Sequence, residues 1–355
     1  MSRKIVHVVG TGTIGEPLIG LLCDFKDSLG IDEVTFHKNS PHITDRSKVK
    51  NLIKRGARLT TQDEKIDGFN NIGLKPEFST AEAIDRASVV IDCTPSGVGH
   101  KNKVDYYEKH LHNTLGFVAQ GSEFGFGKMY ARGINDSALI QGEDRFIQVV
   151  SCNTHNLSTI VQTLALDDGD DNLIEGRFNL IRRSNDVSQS NNFVPSPQVG
   201  SHKDPNYGTH HARDAALLFK TLGHDLNFFS SAMIVNTQYM HILHFHLKVK
   251  QETTIQKIIA KLEANDRIAI TDKINANEVF SFGRDHGHFG RILNQAVVSI
   301  PALNVRNGNE ITGFCFTPQD GNSLLSSISI AEWFLYPHSY EDKIQCLKPF
   351  FYDEV

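Results

Sequence analysis

Apolar residues fall in short runs separated by amphipathic stretches, a pattern that predicts strands and helices in alternation. Ile5 to Val9 reads as a strand, and Leu18, Leu21, Leu22 and Phe25 then mark one face of a helix. Glu33 to Phe36 predicts a second strand, with Asp32 and Glu33 placed ahead of it and pointing away. Ser88 to Cys93, Leu115 to Ala119 and Arg145 to Val150 predict further buried strands, and Lys101 to Leu111 a helix. After the last of these strands, Leu157, Ile160, Val161 and Leu164 recur at helical spacing. Strands alternating with helices make a parallel sheet covered on both faces.

Beyond that helix the pattern changes. Arg177 to Arg183 predicts a strand ending in two cations, and Ser184 to Tyr207 is a polar connection rich in Asn, Ser and Pro. Such length in a compact domain implies a functional or mobile segment. Ala212 to Leu222 predicts a helix; Ala232 to Val235, Gln238 to Lys250, Val279 to Phe280 and Gln295 to Ile300 predict strands. Thr253 is placed to cap a helix whose apolar face is Ile255, Ile258, Ile259 and Leu262. Gly321 to Trp333 reads as an apolar helix with no strand after it. The expected fold is α/β. Residues 1–151 form an N-terminal Rossmann-type domain, and 152–315 an α+β domain with a mostly antiparallel sheet. Residues 316–355 form a helix and tail that pack back on the first domain.

Composition narrows the class. The 355 residues are 39% hydrophobic and 22% charged, as in an ordinary soluble protein, and the chain is long enough for two domains. A net charge of -5 argues against nucleic acid or an anionic membrane as partner. No apolar run has the length of a membrane span, and no signal segment precedes the first strand. Five scattered cysteines (23, 93, 152, 315 and 346) point to free thiols in a reducing cytoplasm.

Three stretches carry candidate chemistry. Gly10-Thr11-Gly12-Thr13-Ile14-Gly15 stands between a strand and a helix. There glycines let the backbone approach a pyrophosphate at the helix N-terminus. The stretch after the second strand, His37-Lys38-Asn39-Ser40, holds a cation and no acid. That favours NADP over NAD, with Lys38 at the 2′-phosphate. Thr94-Pro95-Ser96-Gly97 ends a buried strand in a small-residue turn, as the ligand crevice of such sheets requires.

Cys152 sits where a strand passes into the first turn of a helix, among Ser151, Asn153 and Thr154. The unpaired N–H groups and the dipole there favour a thiolate nucleophile and can stabilise an oxyanion. Arg182, Arg183, Thr209, His210, His211 and Arg213 form a candidate anion-binding group. A base is also needed, and 17 histidines leave the choice open. On a strand over 238–250, His241 shares a face with Leu243 and Phe245, while His244 and His246 share the other with Lys248. No Cys or carboxylate stands at ligand spacing beside His244 and His246 or beside His286 and His288, so no metal is expected.

These landmarks resemble the archaeal-type phosphorylating glyceraldehyde-3-phosphate dehydrogenases. The matching series is Gly12-Thr13-Ile14-Gly15, Asp92-Cys93-Thr94-Pro95, Gly97-Val98-Gly99, Lys101-Asn102-Lys103, Gln120-Gly121, Ser151-Cys152-Asn153-Thr154, Arg182-Arg183, His210-His211 and Met240-His241. The resemblance implies Cys152 as nucleophile and the histidine near Met240-His241 as base. It implies that Thr13, Ile14, Gly121, Arg183 and Gln319 touch the cofactor. It further implies that Ser151, Asn153, Thr209 and His210 hold the substrate, with Thr154 alongside. A homotetramer using NADP, often also NAD, with a small-molecule substrate and inorganic phosphate, is likewise implied.

The departures are His155-Asn156-Leu157 after the Cys motif, Ala212-Arg213-Asp214 after the His pair, a longer 184–208 segment, and Pro318-Gln319-Asp320. They fall on the phosphate-handling side. One alternative is therefore a reductase of a short acyl-CoA or acyl phosphate, in which His155 and Arg213 contact the larger donor. Another is a catalytically silent nucleotide-binding relative.

Overall fold

The structure, a computed structural model, describes residues 3–167, 170–187, 189, 193–318 and 320–355. Contacts divide the chain into two units. The first holds residues up to Lys128, Leu139–Val149 and Leu324–Lys348; the second holds Met129–Ala138, Val150–Ser323 and Pro349–Val355.

The first unit is built on β1 (Ile5–Val9), β2 (Glu33–His37), β3 (Arg58–Thr61), β4 (Phe78–Ser79), β5 (Val89–Asp92), β6 (Gly116–Ala119) and β8 (Phe146–Val149); β7 (Lys128–Tyr130) begins on its residue Lys128 and continues in the second unit. Among the described residues of the first unit the sheet order is β4-β3-β2-β1-β5-β6-β8, and these pairings are parallel. Helices α1 (Gly15–Asp24), α2 (Lys26–Leu29), α3 (Arg46–Lys54), α4 (Ile66–Asn71), α5 (Thr80–Arg86) and α6 (Val98–Asp105) connect the strands. Both faces of the central strands are covered: β1, β2 and β5 have no exposed position, and most of their residues are apolar. The order reverses between β1 and β5, which opens a crevice at their C-terminal ends.

Glu33 is a correction to the reading above. It is the first residue of β2, buried, with its carboxylate on Arg86 at 3.0 Å, Arg3 at 3.2 Å and Arg58 at 3.3 Å. Three guanidinium groups offset its desolvation. The Lys101 to Leu111 helix is also shorter than expected: α6 ends at Asp105, and a 3-10 turn covers Tyr107–His110.

The second unit opens with α7 (Cys152–Ala165) and a two-strand hairpin, β9 (Leu166–Asp167) with β10 (Asp170–Asp171). Its main sheet contains β11 (Leu173–Arg182), β12 (Gln198–Val199), β13 (Phe228–Ile234), β14 (His241–Val249), β15 (Ile268–Thr271), β16 (Ala296–Ser299), β17 (Asn304–Arg306) and β18 (Glu310–Thr317). The order is β12-β13-β11-β14-β18-β16-β15, with β17 on β18. β11 with β13 and β15 with β16 are parallel; β11, β14, β18 and β16 pair antiparallel. Helices α8 (His210–Lys220), α9 (Ile255–Glu263) and α10 (Ala276–His286) complete it, and α11 (Gly321–Leu335) and α12 (Tyr340–Ile344) follow. Leu157, Ile160, Val161 and Leu164 of α7 share one core with Phe178, Leu180, Leu243, Phe245, Leu247 and Phe219.

Two further expectations are corrected. Val279-Phe280 lies inside α10, not on a strand; Val279 and Gly283 bury one face of that helix at i, i+4 spacing. Thr254, not Thr253, caps α9, accepting the Lys257 N–H at 3.4 Å. Among the described residues no helix is long and apolar enough to cross a membrane.

Candidate active site

In the first unit, the predicted loops meet at the C-terminal ends of four neighbouring strands. Gly10 follows β1 and donates its N–H to His37 O of β2 at 3.1 Å. Its φ is +101°, and a Cβ on Gly15 would stand 2.2 Å from Gly10 O, so both positions demand glycine. A Cβ on Gly12 would meet nothing within 4 Å. With Thr13 and Ile14 the loop therefore presents open backbone at the start of α1, which fits the pyrophosphate of a dinucleotide. After β5, Asp92 Oδ1 accepts the N–H of Thr94 at 2.9 Å and also its hydroxyl; Asn102 and Tyr107 bond Oδ2 at 2.8 and 2.6 Å. This fixes the turn through Thr94 and Pro95. Gly97, at φ +85°, donates to Glu123 Oε1 at 2.6 Å. Gly121 follows β6 and is partly exposed. Lys38 is buried and its Nζ donates to Asp45 Oδ2 at 2.7 Å. Gln319 lies outside the described residues.

In the second unit, α7 starts at Cys152 because Ser151 caps it, its Oγ accepting the Thr154 N–H at 3.3 Å. Removing such a cap costs about 1 kcal/mol. The Cys152 carbonyl accepts from Asn322 Nδ2 at 2.9 Å. A buried chain of polar groups runs beneath it. Cys315 Sγ donates to Asn156 Oδ1 (3.2 Å), Asn156 Nδ2 to Thr317 Oγ1 (2.8 Å), and the Thr317 hydroxyl to Asn153 Oδ1 (3.1 Å). Thr317 is the β18 partner of His241, so this chain ties the Cys152 helix to the start of β14. His155 is fully buried, its Nδ1 3.0 Å from Ser151 O, and burial lowers its pKa to about 4.

Alternation along β14 buries His241, Leu243, Phe245 and Leu247 on one face, while His244 and His246 stand half-buried on the other. His244 Nε2 pairs with Thr312 Oγ1 at 3.1 Å and its ring lies on Phe314. His241 Nδ1 accepts the backbone N–H of Arg183 at 3.1 Å, so the neutral ring carries its proton on Nε2. Burial, then Arg183 and Arg182, hold its pKa well below the usual value.

Arg183 is buried; its Nη2 reaches Asp186 Oδ1 at 2.7 Å and Asp320 Oδ1 at 3.6 Å. The Nε atoms of Arg182 and Arg183 and Oδ2 of Asp320 are buried with no hydrogen-bond partner among the described residues. Burial pushes the Cys152 thiol up to about 12; Asp320 adds to the rise, and Arg183 opposes it. Cys152 itself is partly exposed, and Asp320, distant in sequence, is the acid whose charge opposes the helix N-terminus there. Asp320 itself is raised by burial against Arg183, at φ +57°. His210 is exposed at the start of α8; partial desolvation, then Arg182 and Arg213, lower its pKa, and its ring centroid lies 3.8 Å from that of His211. Thr209 Oγ1 bonds His211 Nδ1 at 3.1 Å and Ser230 Oγ at 2.6 Å. Arg213 forks onto Asp214 Oδ1 at 2.8 and 2.9 Å. Among the described residues no three His, Cys, Asp or Glu side chains converge to hold a metal ion.

The fold thus gathers Cys152, Arg182, Arg183, His210, His211 and His241 in one unit, and the nucleotide loops in the other. Asp320, Asp186, Thr317 and Asn156 join the thiol group without having been assigned a role from sequence. Asn156 and Asp320 are visible only as departures. Thr317 closes β18, whose buried positions alternate as a strand's do from 311 to 315.

No protein-family model matches the chain. It is 30% identical over 277 residues to the glyceraldehyde-3-phosphate dehydrogenase of Methanobacterium formicicum, a match spanning 75% of this chain and 74% of that one. The chain belongs to the archaeal-type glyceraldehyde-3-phosphate dehydrogenase family. The enzyme of Metallosphaera sedula is 27% identical over 321 residues, spanning 86% of this chain and 85% of its own. That of Methanobrevibacter smithii is 26% identical over 322 residues, spanning 87% of each. Membership makes this chain a dehydrogenase of that kind, an oxidoreductase, and implies a nicotinamide cofactor.

Proposed function

We propose that the protein oxidises glyceraldehyde 3-phosphate with NADP, NAD also serving, and phosphorylates the product through a thioester on Cys152. The observation that carries this reading is the cluster of one thiol at a helix N-terminus, two guanidinium groups whose Nε atoms are buried and unpartnered among the described residues, and His241. Bound at the Gly10–Gly15 loop, the cofactor supplies a hydride acceptor.

Cys152 Sγ adds to the aldehyde carbon and the thiol proton passes to the aldehyde oxygen, giving a thiohemiacetal. His241 donates from Nε2 to that oxygen and stabilises negative charge on it. Asp320 Oδ2 takes the hydroxyl proton as hydride leaves carbon, which yields the thioester. Inorganic phosphate then attacks the carbonyl carbon, and Cys152 departs as a thiolate that takes back the proton held on Asp320 to restore the thiol. Arg182, Arg183, Thr209 and His210 hold phosphate oxygens through charge-assisted bonds. Ser151, Asn153 and Thr154 shape the thiol's side, and the protein acts as a homotetramer in the cytoplasm.

A second reading, reduction of an acyl-CoA or acyl phosphate to a semialdehyde, rests on Arg213, whose side chain is 30% exposed. A substrate panel followed at the NADPH absorbance band tests both. Turnover with glyceraldehyde 3-phosphate that requires inorganic phosphate supports the proposal. Turnover confined to short acyl-CoAs overturns it in favour of the second.

A further inference from the structure

The stretch directly after β2 holds no acid, but folding brings one there. Asp45 closes the 3-10 turn Ile43–Asp45. Its Oδ2 accepts from Lys38 Nζ at 2.7 Å, and its Oδ1 lies 3.5 Å from Lys48 Nζ on the first turn of α3. Lys48 in turn donates to the carbonyl oxygen of Thr11 at 3.1 Å and approaches Glu16 at 3.9 Å. The trio is therefore anchored on the glycine loop, which is itself bonded to His37 at the end of β2.

In doubly wound sheets this corner receives the adenosine ribose. A carboxylate there binds the 2′-hydroxyl of NAD, and a cation takes the 2′-phosphate of NADP. Here both chemistries stand together, with one carboxylate clasped between two ammonium groups. Lys38 is only 9% exposed, so its charge needs that partner when no phosphate is bound.

We propose that Asp45 sets the balance between the two cofactors. Its carboxylate accepts the ribose hydroxyl of NAD, and it engages Lys38 and Lys48 so that the 2′-phosphate of NADP must displace it. The proposal rests on reading the Gly10–Gly15 loop as a dinucleotide site. Asp45→Asn keeps the size of the side chain and removes the competing charge. It should tighten NADP and loosen NAD, moving the ratio of their dissociation constants about tenfold or more, as expected for a charged hydrogen bond. Lys48→Met should move the ratio the other way.

Equilibrium titration of the full-length protein with each oxidised cofactor, alongside thermal melts, reads these shifts without relying on turnover. Opposite shifts in the two variants support the assignment. A ratio that stays put in Lys48→Met and in folded Asp45→Asn overturns it, and makes Asp45 a structural counter-ion of Lys38. If the unaltered protein binds neither dinucleotide, the loop reading itself fails and the proposal falls with it.

Discussion

The backbone N–H of Arg183 donates to Nδ1 of His241 at 3.1 Å. That bond selects the tautomer, because an Nδ1 that accepts cannot also bear the proton of the neutral ring. In the neutral ring Nε2–H is then a donor, and the proposed mechanism uses it as one rather than as a base with a free lone pair.

A donor role predicts graded losses. His241→Ala should lower kcat by about 10²–10³, the usual effect of losing one oxyanion donor. His241→Gln, which keeps an N–H donor, should recover part of that loss. Steady-state rates of both variants decide it, and equal inactivity would return His241 to the role of base.

Asp320 bears on the thiol as a charge and, in the proposed mechanism, serves as proton acceptor. Removing the carboxylate in Asp320→Asn should lower the Cys152 pKa, because Asp320 is its main charged cause of elevation. Iodoacetamide should then label Cys152 faster at pH 8, while turnover falls. Labelling can be tracked by mass spectrometry against Cys93 and Cys315, whose thiols burial raises further still. Unchanged labelling of Cys152 would remove Asp320 from the thiol's electrostatics.

Arg182 Nε is a buried donor without a hydrogen-bond partner among the described residues, and the proposed function gives it a phosphate oxygen. Arg182→Gln should raise KM for a phosphorylated aldehyde by about tenfold to a hundredfold, the worth of a charged hydrogen bond. Unphosphorylated glyceraldehyde should suffer less. Equal losses on the two aldehydes would separate Arg182 from the phosphate.

Glu332 on α11 is fully buried, and neither carboxylate oxygen has a hydrogen-bond partner among the described residues. Burial pushes its pKa from 4.5 up to about 8, against Lys343 and Lys4. The unfolded chain thus loses this proton before the folded one does. The contribution to stability falls as pH rises from about 4.5 to about 8, by up to ~1.4 kcal/mol per pH unit, and then levels off. Glu332→Gln should flatten that slope. Urea midpoints at pH 5, 6.5 and 8 in both proteins measure it, and parallel slopes would assign the pH dependence elsewhere.

What the sequence determines by itself is whatever a few consecutive residues can encode. The glycine loop announces itself between a strand and a helix because turn, backbone approach and helix entry involve six adjacent positions. Cys152 is legible as a helix N-terminus for the same reason, through Ser151 and the spacing of Leu157, Ile160, Val161 and Leu164. Period-two alternation likewise separates His241 from His244, since adjacent side chains on a strand must point to opposite faces. Val279-Phe280 shows the limit of such local reading: two apolar residues carry no period, and a helix face explains them as well as a strand does.

Tertiary structure alone decided the charges. Asp45 reaches Lys38 across a turn, Asp320 reaches Arg183 from the far end of the chain, and Thr317 bonds Asn153 and Asn156 across more than 160 residues. Two of these pairings place a charge beside a residue singled out from the sequence. Asp320 raises the Cys152 thiol, and Asp45 gives Lys38 a competing carboxylate. Coulomb interactions act on distance in space, and apolar periodicity does not specify which polar side chains will meet.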